Sequence, residues 1–140
     1  MTIVAPVKGT DGSARIVEEG RELADAFDDP LVVLHVMSDD EFESRGETQP
    51  NYSVDKAENN AAQTAAGAVS DAGVAAADVT TVGRIGDATD RIVVEANKRD
   101  ARYIVIGGRK RSPTGKAVFG SVTQSVTLSA DRPVVIVIGE

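Results

Sequence analysis

The chain has no cysteine and no tryptophan, one histidine, and aromatic residues at only 4% of its 140 positions. Without cysteine there are no disulfides, no thiolate metal sites and no cysteine nucleophile. With His35 alone, a multi-histidine metal centre is excluded, although a carboxylate site is not. The scarcity of rings means that a core must be assembled from Val, Ile, Leu and Ala. No apolar run approaches the roughly 20 residues that span a bilayer. Met1 leads straight into Thr2-Ile3-Val4, with no basic or signal-like stretch, so the expected location is the cytoplasm and no membrane partner is expected. Positive charge is also in deficit: the net charge is −7 and Lys+Arg number 15 against 22 Asp+Glu. Nucleic-acid binding depends on neutralising phosphates with basic side chains, so none is expected here. Arg outnumbers Lys ten to five. An acidic, Lys-poor, Ala-rich surface suits solubility in concentrated salt, and stability that rises with added salt is the halophilic expectation.

What is present is a regular alternation of short apolar runs and amphipathic stretches, of a length that fits one domain over residues 1–140. Ile3 to Val7, Leu31 to Met37, Val79 to Val82, Tyr103 to Ile106 and Val134 to Ile138 read as buried strands. Gly107-Gly108 is the expected stop of the fourth. Ile16, Val17, Gly20, Leu23, Ala24 and Phe27 recur at helical spacing, and Asp28-Asp29-Pro30 ends that helix. A long Ala-rich helix carries Ala57, Ala61, Ala65, Ala68 and Ala72 and stops near Gly73. A third opens on Asp87 as N-cap, and a fourth runs from about Ser121 to about Ala130. Ser38 to Asn51 has no apolar period and is expected to be a loop. The acid pairs Asp28-Asp29 and Asp39-Asp40 read as solvated charge. Strands alternating with four helices define an α/β, three-layer sandwich around a parallel five-stranded sheet.

In such sheets ligands sit beyond the carboxyl ends of the strands, where the strand order reverses. Two loops are candidates. The first is Lys8-Gly9-Thr10-Asp11-Gly12-Ser13. The second runs from Gly107 to Lys116 and concentrates Arg109, Lys110, Arg111 and Lys116 in an acidic chain. Gly120-Ser121 stands at a helix start, where free N–H groups and the helix dipole favour an anion. A phosphate site is the favoured reading, and a solvated basic loop the bland one. Thr114-Gly115-Lys116 does not complete a Walker A loop. Ala117 replaces the Mg²⁺-binding hydroxyl, and no glycine stands five places before Gly115. No Gly-x-Gly-x-x-Gly follows the first strand.

With these motifs the chain resembles the universal stress proteins over nearly its whole length. Their ATP-binding members carry Gly-x2-Gly-x9-Gly-[Ser/Thr], which here reads Gly107-x2-Lys110-x9-Gly120-Ser121. Leu34-His35-Val36, Val122-Thr123-Gln124-Ser125-Val126 and Arg132-Pro133-Val134 to Val137 resemble the same family. The resemblance implies strand order 3-2-1-4-5 in an adenine-nucleotide alpha-hydrolase-like fold. It further implies ATP or AMP as ligand, with Mg²⁺ entering only with the nucleotide. By it, Pro6, Val7 and Val36 flank the adenine, and Ile106 and Gly107 sit by the nucleoside. The Gly120, Ser121 and Val122 amides, with the Ser121 hydroxyl, hold the phosphates. Val7, Val36 and Ile106 equally suit plain core positions, Ser121 an N-cap, and His35 a hydrogen-bonded strand residue. Two positions depart from the family pattern. Lys8 replaces an aspartate that would accept hydrogen bonds from the nucleoside, and Lys110 replaces the second glycine. Both add a cation near the switch point.

Three functions follow: a nucleotide-binding regulatory module in stress response with at most slow ATP hydrolysis; a non-nucleotide-binding interaction protein, dimeric through the last strand, Val134 to Ile138; and, last, an enzyme on the same architecture.

Overall fold

The computed structural model describes residues 1–10, 12–110 and 117–139, with the backbone alone at 109–110 and 117–118. Asp11 of the first candidate loop and Arg111, Lys116 and Thr114-Gly115 of the second lie outside the described residues. Six strands are formed: β1 (Thr2–Pro6), β2 (Leu31–Met37), β3 (Val79–Ile85), β4 (Ala101–Lys110), β5 (Ala117–Val118) and β6 (Val134–Gly139). The helices are α1 (Ser13–Phe27), α2 (Asp39–Thr48), α3 (Val54–Asp71), α4 (Ala88–Lys98) and α5 (Ser121–Ser129), with a single 3₁₀ turn at Ala76–Asp78. Five strands run parallel in the order β3-β2-β1-β4-β6, so the expected 3-2-1-4-5 arrangement of the major strands is present. The two-residue β5 pairs antiparallel with Arg109 and Lys110 at the end of β4.

Because β side chains alternate, each strand feeds two cores. Ile3, Ala5 and Val7 face one side with Leu31, Val33 and Val105, covered by α1 and α3. Val4, Val32, Leu34, Ile104 and Ile106 face the other, covered by α4 and α5 through Ile92, Ala96 and Val126. Ile3, Val4, Val33, Leu34, Ile104 and Val105 are fully buried. The alanine row of α3 has a packing role. Ala57, Ala61, Ala65 and Ala68 are buried and small, and they let that helix lie directly on β3 at Gly83.

Four expectations are corrected. Ser38 to Asn51 is not a loop, because α2 occupies Asp39–Thr48. Its order comes from its ends: Ser38 Oγ accepts the Glu41 N–H at 3.1 Å, acids fill the first turn and Arg45 the last. None of its residues is buried, so it leaves no apolar period in the sequence. There are accordingly five α-helices rather than four. Gly107-Gly108 does not end the fourth strand, which continues to Lys110 because β6 pairs with it through Arg109. Finally, Asp29 is not a solvated charge. Its side chain is only 6% exposed and accepts a hydrogen bond from Arg102 Nε at 2.6 Å. That bond holds its carboxyl below the usual range despite the opposing effect of desolvation.

A buried ion-pair cluster ties α4 to β3. Glu95 is 2% exposed and binds Arg84 Nε at 3.1 Å and the Arg99 guanidinium. Burial pushes its carboxyl up. The Arg99 hydrogen bond and the Arg84, Arg99 and Lys98 charges outweigh this, so the net direction is down from 4.5. A carboxylate with a depressed folded pKa stabilises the fold fully above its unfolded value, and loses that contribution as pH falls through the folded one. Glu95→Gln is therefore expected to cost about 3 kcal/mol at neutral pH and to flatten the acid limb of the melting profile. Melting temperature measured against pH for both proteins checks this; parallel curves would contradict it.

Candidate functional site

β1 and β4 are neighbours, while their connections leave in opposite directions along the sheet, so a crevice opens beyond their carboxyl ends. A cavity of about 290 Å³ occupies it. Its floor is Pro6, Val7, Val36, Ile106 and Gly107. Its rim is built from the starts of α1 and α5, through Gly12, Ser13, Val122 and Thr123.

The exit from β1 is fixed by hydrogen bonds. Val7 N–H donates to Leu34 O at 2.8 Å, and His35 Nδ1 lies 2.8 Å from Val7 O. A carbonyl only accepts, so the His35 proton sits on Nδ1. Beyond Lys8 the chain turns tightly. Gly9 and Gly12 have φ of 79° and 91°, values that a side chain would oppose. Gly9 N–H donates to Ser13 Oγ at 3.1 Å, and Ser13 N–H returns to Thr10 O at 3.1 Å. On the opposite wall Thr123 Oγ1 donates to Gly107 O at 2.8 Å, clamping the first turn of α5 onto β4.

The helix ends differ in a consistent way. Ser38, Ser53 and Asp87 cap α2, α3 and α4 with side-chain hydrogen bonds, and each of those first turns carries an acid. The two helices that open on the cavity, α1 and α5, have glycine caps, no side-chain cap bond and no first-turn acid. In α5 the first i→i−4 bond is Gln124 N–H to Gly120 O, so the Ser121, Val122 and Thr123 amides have no intrahelical acceptor. Such an end attracts anions.

Charge in the cavity has the matching sign. Lys8 and Arg15 line it, and no Asp or Glu is among its described lining residues. Arg15 also reaches Glu19 at 3.7 Å on the exposed side of α1. A Cβ built on Gly120 would lie 3.7 Å from Lys8 Nζ, so the ammonium stands beside the α5 N-terminus. An acidic depression with Ser38, Asp39, Asp40 and Asp87 adjoins the cavity across Val36 and Ala88. Among the described residues no cluster of three or more His, Asp or Glu could hold a metal ion.

Of the residues expected from sequence, Pro6, Val7, Lys8, Val36, Ile106, Gly107 and Val122 all line this one cavity. Val7 and Ile106 are at the same time core residues, each 5% exposed. Gly120 and Ser121 are not among the lining residues; Gly120 stands beside Lys8, and the exposed Ser121 is the first helical residue rather than the cap. The Lys110 side chain lies outside the described atoms. Thr10, Gly12 and Ser13 of the first candidate loop also line it, while the expectation did not include Arg15 and Ile16 on α1 or Ala88 and Ile92 on α4. Gly12 before a helix without a capping side chain was the available signal for the first group. The α4 pair gave none beyond helical periodicity.

A doubly wound parallel sheet with an anion-favouring crevice at its switch point defines the class. The sequence pattern of the Universal stress protein family matches residues 1–137, and the chain belongs to that family. A universal stress protein of Mycolicibacterium smegmatis is 41% identical over 51 residues, which is 36% of this chain and 39% of that protein. The matched segment thus spans well under half of that relative. Among solved structures, a universal stress protein from Archaeoglobus fulgidus is 31% identical, with a TM-score of 0.65 and 97% of each chain covered. A universal stress protein in complex with cAMP is 21% identical, with a TM-score of 0.68, covering 100% of this chain and 98% of that one. A universal stress protein from Archaeoglobus fulgidus in complex with dAMP is 23% identical, with a TM-score of 0.61, covering 97% of this chain and 96% of that one.

Proposed function

We propose that this chain is a nucleotide-binding regulatory module of the stress response, taking AMP or ATP in the crevice between β1 and β4. The observation that carries the reading is the convergence of two glycine-capped helix ends and Lys8 on one partly apolar cavity. The phosphates belong at the α5 end, against the Ser121, Val122 and Thr123 amides. The base belongs over Pro6, Val7 and Val36, where the adjoining acidic depression suits its amino group. Proteins of this fold in complex with cAMP and with dAMP support a nucleotide as the class of ligand. Nucleotide occupancy would then bias a surface offered to a partner. AMP or ATP is expected to raise the melting temperature in a saturable manner, by roughly 10 °C at a hundredfold excess over Kd. No shift at saturating nucleotide, in dilute or concentrated salt, would contradict the reading.

A second reading, a dimeric interaction protein that needs no ligand, is favoured by β6. Only its pairing with β4 is seen among the described residues. Val134, Val135, Ile136 and Ile138 remain half-buried, and Leu128 on the adjacent α5 is 87% exposed. An apolar edge strand of this kind invites a second copy. A dimer whose nucleotide-free form is as stable and as active toward its partner as the loaded form would favour it.

A further inference from the structure

This inference rests on the nucleotide reading above and concerns the form in which the nucleotide binds. A protein that receives a nucleotide with Mg²⁺ ordinarily offers the ion one or two carboxylates, phosphate oxygens and water completing its octahedron. The described lining of this cavity offers none. What stands at the phosphate end is an ammonium. Lys8 Nζ is 3.7 Å from the place a Gly120 Cβ would take, beside the free amides of the α5 first turn. The ammonium and the amide dipoles attract a phosphate and repel a second cation at the same spot. Arg15, on the other helix end, adds to the same field. Lys8 is exposed and has no acidic partner among the described salt bridges, so its charge is available. The described donor set of the cavity therefore does not fit a divalent ion held by the protein.

We infer that Lys8 supplies the counter-charge that Mg²⁺ would otherwise bring, so that the site takes its nucleotide as the metal-free anion. The ligand class narrows accordingly. A nucleoside monophosphate carries little bound Mg²⁺, whereas a triphosphate in magnesium-containing solution is mostly the metal complex. The site selects the first over the second.

The test is calorimetric titration of the full chain with AMP and with ATP, each in excess EDTA and in saturating Mg²⁺ at matched ionic strength. AMP is expected to bind equally in both. ATP is expected to bind roughly tenfold more tightly in EDTA than in Mg²⁺. Lys8→Met should weaken binding in EDTA by roughly tenfold and remove most of the magnesium effect, while Lys8→Arg should keep both. Lys8 is exposed, so the unliganded melting temperatures should match that of the parent. Asp11 is the carboxylate of the same loop and lies outside the described residues, which is why metal dependence is read directly. Tighter binding of ATP with Mg²⁺, or a Lys8→Met variant indistinguishable from the parent, would overturn the inference and leave the nucleotide reading standing. Absence of binding by either nucleotide in both conditions would overturn the nucleotide reading itself, and this inference with it.

Discussion

Gly120→Asp is expected to stabilise the fold slightly while removing nucleotide binding. Gly120 has φ −68° and ψ 168°, an extended conformation open to any residue. A Cβ there meets Lys8 Nζ at 3.7 Å as its nearest neighbour, which is ordinary contact. An aspartate at this cap can accept the Val122 or Thr123 N–H, as Asp87 accepts the Asp90 N–H at 3.0 Å on α4. Its charge also complements the helix dipole. The expected gain is about 0.5 kcal/mol. The same carboxylate stands where the phosphate is proposed to sit, uses up its amides and neutralises Lys8. Like-charge contact of this kind costs several kcal/mol, so affinity should fall roughly a hundredfold or more. Melting temperature and titration on one preparation check both signs. Unchanged affinity would place the ligand elsewhere, and a fall in stability would show that the glycine has a structural role.

The second large effect is at Gly83. A Cβ built there lies 2.8 Å from Ala61 Cβ and nearer still to the α3 backbone at Glu58 and Ala62. The methyl of Gly83→Ala has to lift α3 from β3, and with it the buried row of Ala57, Ala61 and Ala65. Overpacking against a helix backbone that cannot rotate away is expected to cost about 3 kcal/mol, lowering the melting temperature by roughly 10 °C. Gly67 is the matched control. It lies in α3 itself, is exposed, and would meet nothing within 4 Å. Gly67→Ala should stabilise by up to about 1 kcal/mol. Equal effects at the two glycines would mean that α3 does not approach the sheet as closely as described.

The elements legible in the sequence are those made by apolar periodicity. The two-sided Val, Ile and Leu runs of β1, β2, β4 and β6 give buried parallel strands. The 3-4 spacing of Val17, Gly20 and Ala24 gives α1 its inner face. Gly120-Ser121 ahead of a helical stretch marked the α5 end of the site. Elements held by other forces were less legible. α2 rests on caps and charge placement. The end of β4 depends on pairing with a strand more than twenty residues later. Asp29 is buried through a partner 73 residues away, and local sequence carries no trace of that bond. Within the site, the Lys8 ammonium stands beside Gly120 at the α5 N-terminus, a neighbour far off in the chain that local sequence does not show. The α4 contribution through Ala88 and Ile92 arises only when that helix crosses the sheet beside β2.

The central claim is that a nucleotide occupies the crevice between the β1 and β4 ends with its phosphate on the α5 N-terminus. Amide chemical shifts followed during titration with AMP test it most directly. The account predicts saturable shifts concentrated at Val7 to Thr10, Ile106 to Gly108 and Ser121 to Thr123, with the α2 amides of Asp40 to Gly46 unmoved. Saturation that leaves the Ser121, Val122 and Thr123 amides in place, or perturbs only the β6 edge, would contradict it.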